Sequence, residues 1–267
     1  MKRYVRYIII VSVVCITVYV LLNLRYNHTS FILVYHKINT YQGKGLRSLY
    51  VNPRTFNNQM NYLYRRGYRT IPLSELVDII SHKKPIPKKV FVLTFDDGYE
   101  DNYINAYGIL KKYNFRGTIF LTAGYIGKEF SYPGQPPEKH LNIEQIKMAK
   151  DVYDYGSHTV SHPNLTKLTE EEIIYEITES KKIIQRITNQ PINLFCYPYG
   201  EFGDDTIIRQ LLIKTGYIGA CTTNPGLVSY RTDVYRLPRY EFKEIQSMSI
   251  HDFIKNIDFY LRTFSGL

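Results

Sequence analysis

A chain of 267 residues with 44% hydrophobic content can bury one large core, and a single α/β domain is the ordinary outcome at this length. Three cysteines, Cys15, Cys196 and Cys221, are too few and too odd in number for a disulfide scaffold. The formal charge of +10 comes without a dense Lys/Arg run or a basic helix, so nucleic acid is not an expected partner; the excess suits a polyanionic surface or is spread thinly over the fold.

Tyr7 to Leu24 reads YIIIVSVVCITVYVLLNL, eighteen residues without a charge. As a helix it would span roughly 27 Å, close to a bilayer core. Lys2, Arg3 and Arg6 ahead of it keep the N-terminus in the cytoplasm, and no small-x-small cleavage site follows it. The expected organisation is a cytoplasmic basic tail at 1–6, an uncleaved transmembrane anchor at 7–24, and an extracytoplasmic domain at 25–267, single-pass at the cell membrane. Short β-rich runs then alternate with helical periodicity. Strands are predicted at Phe31 to Tyr35, Lys89 to Phe95, Thr118 to Leu121, Val152 to Gly156, Asn193 to Tyr197, Tyr217 to Cys221 and Tyr235 to Leu237. Helices are predicted at Pro53 to Arg65, Leu73 to Ile80, Asn102 to Tyr113, Ile143 to Lys150, Thr169 to Ile187, Asp204 to Thr215 and Ile250 to Phe264. The longest carries Thr169 as N-cap with Glu172 three residues on, and Ile173, Ile177 and Ile184 keep to one face. Tyr132 to Glu138, rich in proline, reads as a loop. Cys196 and Cys221 fall in strands and are expected as buried free thiols, with a bridge open if those strands are neighbours.

Strand and helix alternating this regularly imply a largely parallel sheet, open or closed into a barrel, whose functional groups gather at the C-terminal strand ends. The polar candidates sit there. The apolar run Val90 to Phe95 ends in Asp96-Asp97-Gly98, where the chain can bend cheaply at glycine and a metal on one carboxylate would hold the other ionised. A second β-like run leads into Gly156-Ser157-His158-Thr159-Val160-Ser161-His162-Pro163; histidines at i and i+4 can reach one ion if the segment is helical or turns tightly. Each motif alone has a bland reading, a capped turn or a pair of loop histidines. Together they are a carboxylate and two imidazoles at two strand ends, the donor set of a catalytic metal site.

In this order and spacing, Thr94-Phe95-Asp96-Asp97-Gly98, Ser157-His158-Thr159-Val160-Ser161-His162 and Tyr197-Pro198-Tyr199-Gly200 resemble the motifs of the polysaccharide deacetylases, carbohydrate esterase family 4, over about Phe31 to Phe264. The resemblance implies a distorted (β/α) barrel, here of about seven strands, a monomer acting on an N-acetylated glycan, and a divalent ion such as zinc. It makes Asp96 the base, Asp97, His158 and His162 the metal ligands, and the Tyr199 N–H the oxyanion donor, with Tyr197 and Pro198 walling the sugar site. Two departures stand out. Cys196 occupies the place where the family often has an Arg that braces the base, and Arg236-Leu237-Pro238-Arg239 lacks the usual proton-donating His. His36, ending the run Ile32-Leu33-Val34-Tyr35-His36 in a start that resembles the poly-N-acetylglucosamine branch, is the expected general acid; His140 is the second candidate. Arg239 is expected to contact substrate or to brace Asp96. Other readings are peptidoglycan deacetylation and a weakly active glycan-binding relative.

Overall fold

The computed structural model of the chain describes residues 4, 7, 10–17, 29–132, 134–203 and 206–241. The helix expected at Ile250 to Phe264 lies outside them, as does half of the expected 7–24 anchor; among the described residues no helix is long and apolar enough to cross a membrane.

Parallel pairing joins β1 (Ile32–Tyr35), β2 (Arg69–Thr70), β3 (Val90–Phe95), β4 (Gly117–Leu121), β5 (Tyr153–Ser157), β6 (Leu194–Cys196), β7 (Gly219–Cys221) and β8 (Tyr240–Glu241). Their order is β7-β6-β5-β4-β3-β1-β8, with β2 beside the start of β3. The connections carry α1 (Pro53–Arg65), α2 (Leu73–Ser81), α3 (Tyr107–Lys112), α4 (Ile143–Met148), α5 (Glu170–Thr188) and α6 (Thr206–Lys214). The helix expected from Asn102 opens instead with a π turn over Asn102–Ala106 before α3 begins. In α5 the expected N-cap forms a full capping box between Thr169 and Glu172, and Asn189 ends the helix in the left-handed region.

Strands buried on both faces explain why β3 and β4 read as unbroken apolar runs. Alternate side chains separate into two cores. Leu33, Phe91, Leu93, Phe95, Ile119 and Leu121 pack beneath the outer helices, while Ile32, Val92, Phe120, Leu194, Cys196, Cys221 and Leu237 meet inside the curl of the sheet together with Leu76 and Val77 of α2.

One expected strand is misplaced. Tyr235 to Leu237 contributes only a parallel bridge from Leu237 to Cys221, and Pro238 has no N–H to offer on the other side. Pairing there starts at β8, against Leu33 and Val34 of β1. The segment 237–241 therefore touches β7 at one end and β1 at the other, closing the curl into an irregular barrel. Cys196 and Cys221 lie in register on β6 and β7, and both are buried free thiols; burial pushes the Cys221 thiol up to about 12.

Candidate active site

β3 delivers both acids. The Asp96 N–H continues the ladder by donating to Tyr35 O at 3.0 Å, and the chain then reverses through two left-handed residues, Asp97 at φ 69° and Gly98 at φ 77°. A Cβ at position 98 would lie 2.7 Å from Leu121 Cδ2, so the reversal that turns both carboxylates toward one mouth requires glycine there. The mouth opens on a cavity of about 300 Å³ lined by His36, Asp96, Asp97, Tyr132, His158 and His162, and on its outer side by Leu46, Leu49, Gln135, Tyr199 and Thr223.

Asp97 Oδ1 stands 3.6 Å from His158 Nε2 and 3.4 Å from His162 Nε2, and the two nitrogens are 3.1 Å apart. His158 Nδ1 lies 2.8 Å from Cys196 O; only its protonated form can donate to a carbonyl, which leaves the Nε2 lone pair facing Asp97. Burial pushes the His162 imidazole down to about 4 despite the pull of Asp97, so at neutral pH it is in the uncharged form that binds metals. Burial raises the Asp97 carboxyl, but His162, His36 and His158 outweigh it and hold the group below its usual value. One oxygen and two nitrogens converging in a buried pocket fit a divalent cation. The histidines are not on a helix: Thr159 at φ 68° and His162 at φ 58° fold the segment back on itself.

Asp96 faces a different partner. Arg239 Nη1 donates to Oδ1 and Nη2 to Oδ2, each at 2.7 Å, and its remaining donors reach Thr94 Oγ1 at 3.1 Å and Thr222 O at 2.8 Å. Cys196 Sγ lies 3.1 Å from Nη2, so the small thiol leaves the room that this guanidinium fills. Arg239 is 0% exposed, which corrects its expected contact with substrate: it braces Asp96 and has no face left for a ligand. Burial works to raise the Asp96 carboxyl, but the charge and paired hydrogen bonds of Arg239 prevail and hold it far below the ordinary range.

His36 leaves β1 into the same cavity, its Nε2 4.0 Å from Asp96 Oδ2 and its Nδ1 4.0 Å from Glu241 Oε1 of β8. His140 is absent from the lining; it is buried between the rings of Tyr99 and Tyr125, and burial lowers its pKa. Tyr199 sits at φ 59°, 58% exposed, its ring 4.8 Å from that of His162. Tyr197 lines the cavity, though its ring is buried and its hydroxyl donates to Tyr235 O at 3.0 Å. Pro198 is buried in the turn and does not line the cavity; the left-handed residue that follows presents Tyr199 in its place.

Three contributors escaped the sequence reading. Tyr132, from the proline-rich loop, brings its hydroxyl within 3.4 Å of Asp97 Oδ1 and its ring against His162. Glu241 stands behind His36. Glu176 of α5 accepts from Val160 N, Ser161 N and Ser161 Oγ between the two histidines. Only the last left a signal, a glutamate on the apolar stripe Ile173, Ile177, Ile184.

The family described as polysaccharide deacetylase matches residues 83–219. YxkH of Bacillus subtilis (strain 168), named for that family, is 35% identical over 209 residues, which cover 78% of this chain and 69% of YxkH. A poly-beta-1,6-N-acetyl-D-glucosamine N-deacetylase of Staphylococcus aureus (strain MRSA252) is 26% identical over 211 residues, covering 73% and 69%. Among solved structures, the Streptococcus pyogenes deacetylase PplD in complex with acetate superposes with a TM-score of 0.74 at 28% identity, over 85% of this chain and 97% of PplD.

Proposed function

Since the chain belongs to the polysaccharide deacetylase family, a family of amide hydrolases, we propose that it removes N-acetyl groups from an extracellular poly-N-acetylglucosamine, releasing acetate, with zinc held by Asp97, His158 and His162. The likeness to the Staphylococcus aureus deacetylase supports this choice of glycan. The observation that carries the reading is the meeting, in one cavity, of a three-donor cation site with a carboxylate that an arginine keeps ionised.

A bound divalent ion would acidify a water and polarise the acetamide carbonyl. Asp96 then receives the proton of the attacking water; its braced, ionised carboxylate is in the state a base needs. The backbone N–H of Tyr199 donates to the oxygen on which charge develops, worth roughly 3 to 4 kcal/mol for one well-placed donor. His36, which lines the same cavity 4.0 Å from Asp96, protonates the leaving amine, with Glu241 beside its other nitrogen. The basic residues and the uncharged stretch ahead of the domain support a single-pass anchor that holds the enzyme on the outer face of the membrane.

Acetate release from poly-N-acetylglucosamine, chitooligomers and peptidoglycan, assayed on the full chain with and without a chelator, tests the proposal. The expected result is turnover on the first substrate that stops on chelation and returns with zinc. Chelator-insensitive turnover would remove the metal reading, and turnover on peptidoglycan alone would replace the substrate. For His36→Ala the expectation is a fall in kcat of about 10²–10⁴-fold; undiminished acetate release would take His36 out of the mechanism.

A further inference from the structure

The loop that carries both histidines is held from behind. Thr159 and His162 occupy the left-handed region, where a residue with a Cβ is strained by on the order of 1 kcal/mol or more. Such a backbone persists only where its surroundings over-determine it, and here nearly every polar atom between the histidines is engaged. Thr159 O accepts from Ala123 N at 3.0 Å, Val160 O from Gly124 N at 2.8 Å, and Ser161 O from Tyr125 Oη at 2.8 Å. The donors on the same stretch turn the other way, into α5. Val160 N reaches Glu176 Oε2 at 2.7 Å, Ser161 N reaches the same oxygen at 3.0 Å, and Ser161 Oγ reaches Oε1 at 2.6 Å.

Glu176 is 7% exposed on a helix whose other inward residues are Ile173, Ile177, Ser180, Ile184 and Thr188. A carboxylate on an apolar stripe loses its water and is tolerated only if its lone pairs are filled; three donors from one loop fill them. Packing of α5 against the sheet would be served as well by an apolar side chain. What an apolar side chain cannot do is fix three consecutive donors of a strained loop whose two ends present imidazoles to one point.

We infer that Glu176 is a positioning residue of the metal site, which sets the separation of His158 and His162 through the loop between them and so determines how tightly the site holds its ion. This rests on the metal reading above. Residues that orient ligands without touching the ion commonly govern metal affinity by 10- to 100-fold.

The test is the affinity for zinc and for cobalt, measured on the full chain by competition with a chromophoric chelator, well below the unfolding temperature of each metal-free variant. Glu176→Gln, which turns one acceptor into a donor facing the loop, is expected to weaken binding by about tenfold or more. Ser161→Ala, which removes one of the three contacts, should weaken it by a smaller factor. Glu179→Gln, the same charge change three residues along α5 at a residue paired with Lys182, should leave it unaltered. Affinity of Glu176→Gln within twofold of the parent, or an equal loss in Glu179→Gln, would overturn the inference. Should Glu176→Gln fail to fold, Ser161→Ala decides alone, and parental affinity in that variant overturns it. A parent chain that binds neither ion would overturn the metal reading itself and the inference with it, a result distinct from parental binding that the variants leave unaltered.

Discussion

Asp96 and Asp97 are chain neighbours at one strand end, yet the imidazoles facing Asp97 come from one short stretch of sequence and the guanidinium that holds Asp96 from far along the chain. Asp97 meets two imidazoles from a single five-residue loop. Asp96 is gripped by Arg239, 143 residues away. The first arrangement offers an oxygen and two imidazole nitrogens to a cation; the second is already neutralised by an internal cation. On the proposed mechanism identical side chains acquire opposite tasks, one to bind an ion and the other to stay free of it and take a proton.

The sharpest way to break this contrast is to exchange each acid for its amide. Asp96→Asn should lower kcat by about 10²–10⁴-fold while leaving zinc affinity near the parental value. Asp97→Asn should instead lose zinc affinity, with turnover partly restored by excess zinc. Equal loss of zinc by both variants would show that the division of labour does not exist. The next effect is on stability. Arg239→Met leaves a buried carboxylate uncompensated and should lower the unfolding free energy by about 3–5 kcal/mol, read from the denaturant midpoint at constant m-value. Adding Asp96→Asn to that variant should restore much of the loss; if it restores nothing, the arginine stabilises the barrel by packing alone.

A smaller effect concerns a third acid, which has neither solution. Asp101 is buried with Oδ1 accepting from Ile38 N and Asn102 Nδ2, each at 3.0 Å, and burial pushes its pKa up to about 7. Its folded value lies above the unfolded 3.8, so the folded state binds the extra proton between these limits. Stability is then lost as pH rises from about 4 to about 7, by no more than roughly 4 kcal/mol. Asp101→Asn keeps the oxygen acceptor and should flatten that part of the profile, as measured by urea denaturation at several pH values. Profiles of the same slope for parent and variant would show Asp101 charged throughout.

How much of this was legible in the sequence follows from distance along the chain. The two acids, the two histidines and the Tyr199 turn are local patterns at strand ends, and six of the seven predicted strands overlap an observed strand of the curled sheet. Arg239 was visible as a residue of interest, but burial decided between its two expected roles, and burial is a property of the closed barrel. The strand predicted at Tyr235 to Leu237 erred because β propensity says nothing about which edge is free to pair beside a proline. Tyr132 was hidden in a loop whose composition marks a turn without saying what it faces. Glu176 could have been found, since a carboxylate on an otherwise apolar helical stripe asks for partners.

The segment 237–241, which pairs with β7 at Leu237 and with β1 at Tyr240 and Glu241, carries Arg239 between those two anchors. Sealing the sheet and holding Asp96 are consequently one event. On the proposed mechanism a chain with this seam open can still have its metal ligands in place, because the groups that hold them lie on β3, the turn after β4, β5, α5 and Cys196 of β6, all outside 237–241. It would nevertheless be silent, its Asp96 unheld and Glu241 away from His36. On the proposed mechanism turnover requires that this seam be shut, and a protease or mutation that loosens it would switch off turnover while leaving the metal ligands and most of the fold in place.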